Sequence, residues 1–162
     1  MIISKEMTGA LNAQIQAEMQ SAYLYLSMAA WYEANDLAGF AHWMRKQYHE
    51  EVEHAMKMFD YLNERGGRVE LRVIEAPKKE WEDSLDVFRN TYEHEKSVTQ
   101  MIYRIVDRAM EEKDYASVEF LNWFVKEQVE EEDTASTILA KLEKIGDCTA
   151  GLFALDAQLG AR

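Results

Sequence analysis

The sequence predicts an all-α fold, in which four long helices form a bundle and a short fifth helix follows. Helix breakers are scarce, since the 162 residues include one proline and seven glycines, and long segments of strong helix formers remain. Apolar residues recur at spacings of three and four along each long segment. Because 48% of the residues are hydrophobic, the formal charge of −12 does not indicate disorder. The length favours a single domain over residues 1–162.

The first two helices are predicted from their boundary residues. The first begins after Ser4, which acts as N-cap, and runs to about Glu33. Asp36 is then expected to cap a second helix, which ends before the glycine pair at 66 and 67. Because so few residues separate the two helices, we expect them to be antiparallel.

A long extended connection follows the second helix. Residues from about 66 to 80 include β-branched residues and Pro77 and have no helical stripe. About 14 extended residues at ~3.3 Å each span ~46 Å, which is the length of a ~30-residue helix. The second and third helices are therefore predicted to be parallel, as in a four-helix bundle with one long crossover.

The remaining chain is predicted to form two long helices and one short helix. Residues 78–145 contain neither glycine nor proline, but a single helix of that length would measure about 100 Å. We expect a break at the polar run 111–114, with Asp114 capping a fourth helix that ends at about Ile145, before Gly146. The bundle then covers about 5–145, and a short C-terminal helix covers about 148–159.

The apolar stripe of each long helix is interrupted by side chains that can bind metal. In helix order these are Glu18, then Glu51 and His54, then Glu95, then Gln128 and Glu131. Apart from His54, which lies three residues after Glu51 on the same face, they all lie within about one turn of the midpoint of their helix, so they should meet in one layer of the bundle. Ionised carboxylates without basic partners would destabilise a dry core, whereas divalent cations would balance their charge. The pattern therefore predicts a metal site.

The donor set indicates which metal this site would hold. Carboxylates with one imidazole suit Fe(II) or Mn(II), and iron is the first choice, because a structural zinc site would use several Cys or His. Taken singly, Glu18 or Glu95 is more typical of a side chain that reaches solvent, and His54 of a hydrogen-bonded core histidine. Their shared height on four helices favours the metal site.

Charge and hydropathy exclude several classes of partner. A net charge of −12 and a pI near 4.8 argue against nucleic-acid and membrane partners. The first residues do not show the basic-then-apolar order of a signal peptide, and the longest uncharged stretch is too short to cross a bilayer. A cytoplasmic location is expected.

Four segments resemble the prokaryotic non-haem ferritins, and the resemblance covers nearly the whole chain, from Ser4 to Leu159. They are QAEMQSAYLY at 16–25, EEVEHA at 50–55, YEHE at 92–95 and FLNWFVKEQVEEE at 120–132. The resemblance implies a ferritin-like four-helix bundle with one long crossover and a short fifth C-terminal helix. It also implies a ferroxidase centre inside each subunit.

The resemblance also assigns roles to the predicted site residues. It implies that Glu18, Glu51 and His54 hold a first iron, with Glu51 bridging. Glu95 would hold the second iron, with Gln128 and Glu131 nearby. Three further acidic residues match the third iron site of the family: Glu50, Glu127 and Glu130. Tyr25 matches the family's tyrosine that supplies an electron to the oxidant. Tyr25 is equally typical of an aromatic residue in the apolar stripe. No haem is expected, because Val52 stands where bacterioferritins have the haem-binding Met.

The function implied by the resemblance is iron storage and detoxification. Fe(II) would be oxidised by O2 or H2O2, and ferric mineral would be deposited inside a hollow homo-oligomeric shell of about 24 subunits. Trp31, Trp43 and Phe153 are expected at subunit contacts. Two alternatives remain: a rubrerythrin-like or oxygenase-like di-iron redox enzyme without storage, and a metal-free bundle that acts as an interaction module. The first is disfavoured because Val98, and not His, follows Glu95 after three residues.

Overall fold

The structure is a computed structural model that describes residues 2–162; Met1, the first residue of the predicted domain, lies outside the described residues. Five helices follow one another along the chain: α1 (Lys5–Ala34), α2 (Ala38–Glu64), α3 (Ser84–Glu111), α4 (Tyr115–Ile145) and α5 (Thr149–Gly160). Residues 2–162 contain no β-strand. The prediction of an all-α fold with four long helices and a short fifth helix is confirmed.

The crossover between α2 and α3 lies along α1. Four α1 side chains donate hydrogen bonds to crossover carbonyls in the same order along both segments. The pairs are Asn12 Nδ2 to Arg68 O (2.9 Å), Gln16 Nε2 to Val73 O (2.6 Å), Gln20 Nε2 to Glu75 O (2.9 Å) and Ser27 Oγ to Lys78 O (2.7 Å). The crossover thus runs parallel to α1 and returns the chain to the end of the bundle where α2 begins. Helices α2 and α3 are parallel, as predicted.

Most helix ends agree with the boundaries predicted from sequence. Ser4 Oγ accepts a hydrogen bond of 3.0 Å from Met7 N–H at the start of α1, and Asp114 Oδ1 accepts one of 3.2 Å from Ser117 N–H at the start of α4. Gly146 ends α4 with a positive φ of 53°. Ser4 and Asp114 thus accept hydrogen bonds from backbone N–H groups that the start of a helix leaves without a partner.

The prediction that Asp36 caps α2 is wrong. Asp36 adopts a left-handed conformation with φ 58° in the α1–α2 turn, and the N-cap position is held by Leu37, whose side chain makes no cap hydrogen bond. A carboxylate from a distant helix takes over this role, because Asp156 Oδ1 on α5 accepts a hydrogen bond of 2.9 Å from Phe40 N–H. α5 is therefore fastened to the first turn of α2.

Two apolar clusters fill the bundle, with a polar layer between them. One cluster, near the α1–α2 turn, includes Tyr32, Phe40 and Phe88; the other, near the opposite end, includes Leu11 and Ile102. The predicted metal-binding positions lie in the layer between the two clusters along all four helices.

The structure corrects one expectation about subunit contacts. Trp43 is only 3% exposed within a single chain and packs against Phe88, so it is a core residue. Phe153, in contrast, is 57% exposed on α5.

The hydropathy of the helices is also informative about membranes. Across residues 2–162, none of the helices combines the length and the apolar character that crossing a bilayer requires.

Candidate metal centre

The polar layer gathers one or two metal-binding side chains from each long helix. Glu18 comes from α1, Glu51 and His54 from α2, Glu95 from α3, and Gln128 and Glu131 from α4, and every one of them is buried. The helical spacing that interrupts the apolar stripes thus brings these side chains into one layer, as expected.

Glu18, Glu51 and His54 form one close group. One ligand atom from each lies within 4.8 Å of the others. His54 Nδ1 is 3.3 Å from Glu51 Oε2, and Glu18 Oε1 accepts a hydrogen bond of 2.8 Å from Gln14 Nε2. The second oxygen of Glu18 is buried and has no hydrogen-bond partner among the residues described. A buried acceptor left in this way is a position that a cation would satisfy.

A second group joins His54 to α4. Ligand atoms of His54, Glu127 and Glu131 also lie within 4.8 Å of one another. Glu131 Oε2 accepts a hydrogen bond of 2.8 Å from Gln47 Nε2, which fixes this carboxylate. Glu127, expected only near a third iron, therefore lies directly beside His54 and Glu131.

Glu95, on α3, contacts both α1 and α4 within the layer. Its carboxylate accepts a hydrogen bond from Tyr25 Oη and another of 3.2 Å from Gln128 Nε2. Thr99 Oγ1 accepts a further bond of 3.2 Å from the same Gln128 amide. Glu95 belongs to neither three-residue group found among residues 2–162. It is instead held by neutral donors.

The remaining acidic positions lie further out. Glu50 is partly exposed and pairs with Arg162, and Glu130 is exposed. Glu50, His54 and Glu127 line one end of a cleft of about 670 Å³ between α2 and α4. The cleft continues past Glu53 and Asp60, so its acidic wall connects the polar layer with the protein surface.

Burial makes three carboxylates of this layer harder to ionise. Loss of water raises the pKa of Glu51 well above its ordinary value, and the charges of Glu18 and Glu95 add to the effect. Burial likewise raises the pKa of Glu95 to about 7, although the hydrogen bonds from Tyr25 and Gln128 oppose the rise. The pKa of Glu131 rises to about 8 through burial and the nearby charge of Glu95. A bound divalent cation would reverse this penalty, because it stabilises the ionised form.

Several residues that hold the acidic side chains in place were not predicted. Gln14 and Gln47 fix Glu18 and Glu131, and Arg162 Nη1 donates a hydrogen bond of 2.6 Å to Gln47 Oε1. Gln14 lies four residues before Glu18, a spacing from which the contact could have been found. Arg162 is 115 positions from Gln47, and no local pattern indicates that contact.

Comparisons with known proteins show which family the chain is similar to. Residues 8–145 match the family model for the ferritin-like domain. The chain is 46% identical to a bacterial non-heme ferritin of Bacteroides fragilis, with 99% of this chain and 100% of the relative covered. It is 40% identical to one of Staphylococcus epidermidis, with 99% and 97% covered. Among solved structures, the open pore ferritin of Archaeoglobus fulgidus superposes with a TM-score of 0.98 at 52% identity, covering 99% of this chain and 98% of that one.

Proposed function

The chain belongs to the ferritin family, and from that premise we propose that it stores iron and oxidises Fe(II) to Fe(III) in the polar layer of its bundle. The observation that carries the proposal is the buried Glu18, Glu51 and His54 group, in which one Glu18 oxygen has no hydrogen-bond partner among residues 2–162. Such oxygen-rich donors with one imidazole suit Fe(II).

The two sides of the layer would take up two Fe(II) ions as substrate. Glu18, Glu51 and His54 would hold the first, and the carboxylate of Glu51 would be shared with the second. Glu131 and Glu127, which lie beside His54, would line the second position, and Glu95 would complete it. Each Fe(II) gives up one electron, so a pair reduces O2 and two protons to H2O2, or H2O2 and two protons to two water molecules. The chain contributes fixed positions and a negative charge that favours Fe(III).

The acidic cleft offers a route away from this centre. Glu50 and Glu127 line this cleft, and Glu53 continues its acidic surface outward. With the exposed Glu130 they would supply a third iron position, where iron would compete with Arg162 for the carboxylate of Glu50. Ferric iron would leave along this surface and form mineral inside a hollow shell of about 24 copies of the chain. The similarity to the open pore ferritin of Archaeoglobus fulgidus supports a shell.

Iron retention tests storage directly. Fe(II) is added in excess under air, the protein is desalted, and iron per chain is measured. Retention far above the ~2 ions that a pair of sites in a bundle core can hold would support a storage shell. Retention of only ~2 ions would favour the alternative, a di-iron redox enzyme without storage.

Two alanine variants test the centre. Glu51→Ala and His54→Ala should each slow Fe(II) oxidation by at least 10-fold, because each removes a donor from the first position. Oxidation is followed by the absorbance of Fe(III), and assembly by light scattering. Glu143→Ala, at an exposed position near the end of α4, is the matched control. Parental oxidation rates in both site variants would contradict the assignment.

A further inference from the structure

Arg162 connects the residues after α5 with the polar layer. Its Nη1 donates a hydrogen bond of 2.6 Å to Gln47 Oε1, and its Nη2 donates bonds of 2.8 and 3.0 Å to the two carboxylate oxygens of Glu50. A guanidinium has no acceptor atom and stays charged at all working pH values, so Arg162 cannot itself bind a metal ion.

Gln47 passes this contact on to Glu131. Gln47 is 1% exposed, and its amide has one acceptor and two donor positions. Because Arg162 occupies the acceptor, the amide nitrogen faces the other way, where Nε2 donates a hydrogen bond of 2.8 Å to Glu131 Oε2. If the amide were reversed, its oxygen would face a carboxylate oxygen and its nitrogen a guanidinium. Arg162 thus selects the amide orientation that serves Glu131.

The position of Arg162 is fixed by the packing of α5. Gly39 on α2 lies so close to α5 that an added Cβ would come within 1.8 Å of Asp156 O. His42 Nε2 lies 2.9 Å from Arg162 O, and the guanidinium sits 5.2 Å from the centre of the Trp43 ring. These contacts hold the arginine over Gln47 and Glu50.

We propose that Arg162 is a positioning residue for the second metal position, and that it acts through Gln47 on Glu131. The inference rests on the proposed function in one respect, namely that Glu131 binds metal. Removing a residue that orients a metal ligand typically lowers metal affinity 10- to 100-fold.

The sign of the effect separates this role from simple electrostatics. A positive charge close to a cation site repels the cation, so deleting Arg162 should tighten metal binding if only its charge mattered. If Arg162 orients Gln47 and Glu131, deleting it should weaken binding of the second metal, although a repulsive charge is removed.

Co2+ titration of the metal-free protein measures this sign without iron oxidation. The visible absorption of bound Co2+ reports its coordination, and calorimetry gives the stepwise affinities. Arg162→Met retains an unbranched stem against Trp43 but removes every donor. We expect about a 10-fold loss of affinity at the second Co2+ position, a changed Co2+ spectrum, and a first position that is unaltered. Arg162→Lys should recover part of the loss, because it retains a donor for Gln47.

A double-mutant cycle identifies the route of the effect. Gln47→Met should reproduce the loss without altering the α5 segment, and the double variant should lose no more than either single variant. Arg108→Met, at an exposed position near the end of α3, is the matched control and should bind Co2+ like the parent.

Three results would overturn the inference. They are parental or tighter Co2+ binding by Arg162→Met, parental binding by Gln47→Met, and additive losses in the double variant. A parent protein that fails to bind two Co2+ ions per chain would instead refute the proposed function, and this inference with it. Parental Co2+ binding together with low iron retention would refute storage only.

Discussion

Neutral side chains hold the acidic residues of the polar layer. Gln14 binds one oxygen of Glu18, Gln47 binds one oxygen of Glu131, and Tyr25 binds Glu95. An amide or hydroxyl orients a carboxylate without neutralising it, whereas a lysine or arginine would cancel the charge. The negative charge of the layer therefore remains available to cations.

The hydroxyl of Tyr25 should affect the pH dependence of iron oxidation. Its hydrogen bond opposes the rise in the pKa of Glu95, which burial brings to about 7. In Tyr25→Phe the pKa of Glu95 should rise further, so ionisation of Glu95, and with it Fe(II) binding, should require a higher pH. We expect the acidic limb of the initial oxidation rate to move to higher pH, as measured by stopped-flow absorbance between pH 5.5 and 8.

A pH profile also distinguishes this role from electron supply by Tyr25. If the tyrosine only supplies an electron, Tyr25→Phe should lower the rate by the same factor at every pH. Tyr23→Phe, on the exposed side of α1, controls for the loss of a phenol and should retain the parental profile.

The side chains that point into the layer could be predicted from sequence, whereas most of those that hold them could not. A glutamate in an apolar stripe is visible because burial without a partner is costly. Glu18, Glu51 and Glu95 are buried as that pattern predicts. Arginine is usually found at the surface, and the position of Arg162 depends on how α5 packs. Helical periodicity carries no information about a contact between residues 115 positions apart.

At the level of helices, α5 completes the first turn of α2. The connection between α1 and α2 puts Asp36 in a left-handed conformation, so its side chain does not cap α2. Asp156 supplies the acceptor from the other end of the chain. The error in the predicted cap has a physical cause: local capping rules assume that the acceptor is adjacent in sequence, but any nearby carboxylate satisfies the same N–H group.

Close approach of α5 to α2 requires a glycine at position 39. A Cβ at Gly39 would come within 1.8 Å of Asp156 O, which is a backbone atom that cannot move alone. Gly39→Ala should therefore displace α5 and lower the free energy of unfolding by about 1–3 kcal/mol, despite the better helix propensity of alanine. Chemical denaturation monitored by circular dichroism measures the change.

Gly9→Ala is the matched control for this prediction. A Cβ added at Gly9 would have none of the described neighbouring atoms within 4 Å. Alanine at this position in α1 should therefore raise the free energy of unfolding by about 0.5–1 kcal/mol. Equal effects of the two substitutions would show that α5 does not depend on the contact. Because Arg162 follows α5, Gly39→Ala should also weaken binding at the second metal position.

At the level of the whole molecule, the metal-free bundle combines a strongly acidic chain with acidic residues in its core. The formal charge is −12, and the pKa of Glu95 and of Glu131 is raised to about 7 and about 8, mainly by burial. Without metal, the folded chain therefore keeps protons on Glu95 and Glu131 at pH values above 4.5, the ordinary pKa of a glutamate, where the unfolded chain releases them. Stability, protons and metal ions are consequently linked.

The metal-free protein should lose stability as the pH rises, and metal should restore it. Because the folded pKa values exceed the unfolded ones, the stabilising contribution of Glu95 and Glu131 is full below about pH 4.5 and is lost as the pH passes through about 7 and 8. Melting temperatures in the presence of a chelator should fall between pH 5.5 and 8.5, and excess Zn2+ should raise them most at pH 8.5. Glu131→Gln, neutral at every pH, should show a shallower fall and a smaller Zn2+ effect. A chelated parent that melts at the same temperature across this range would contradict the linkage, because buried carboxylates without a metal cannot all ionise without a cost in stability.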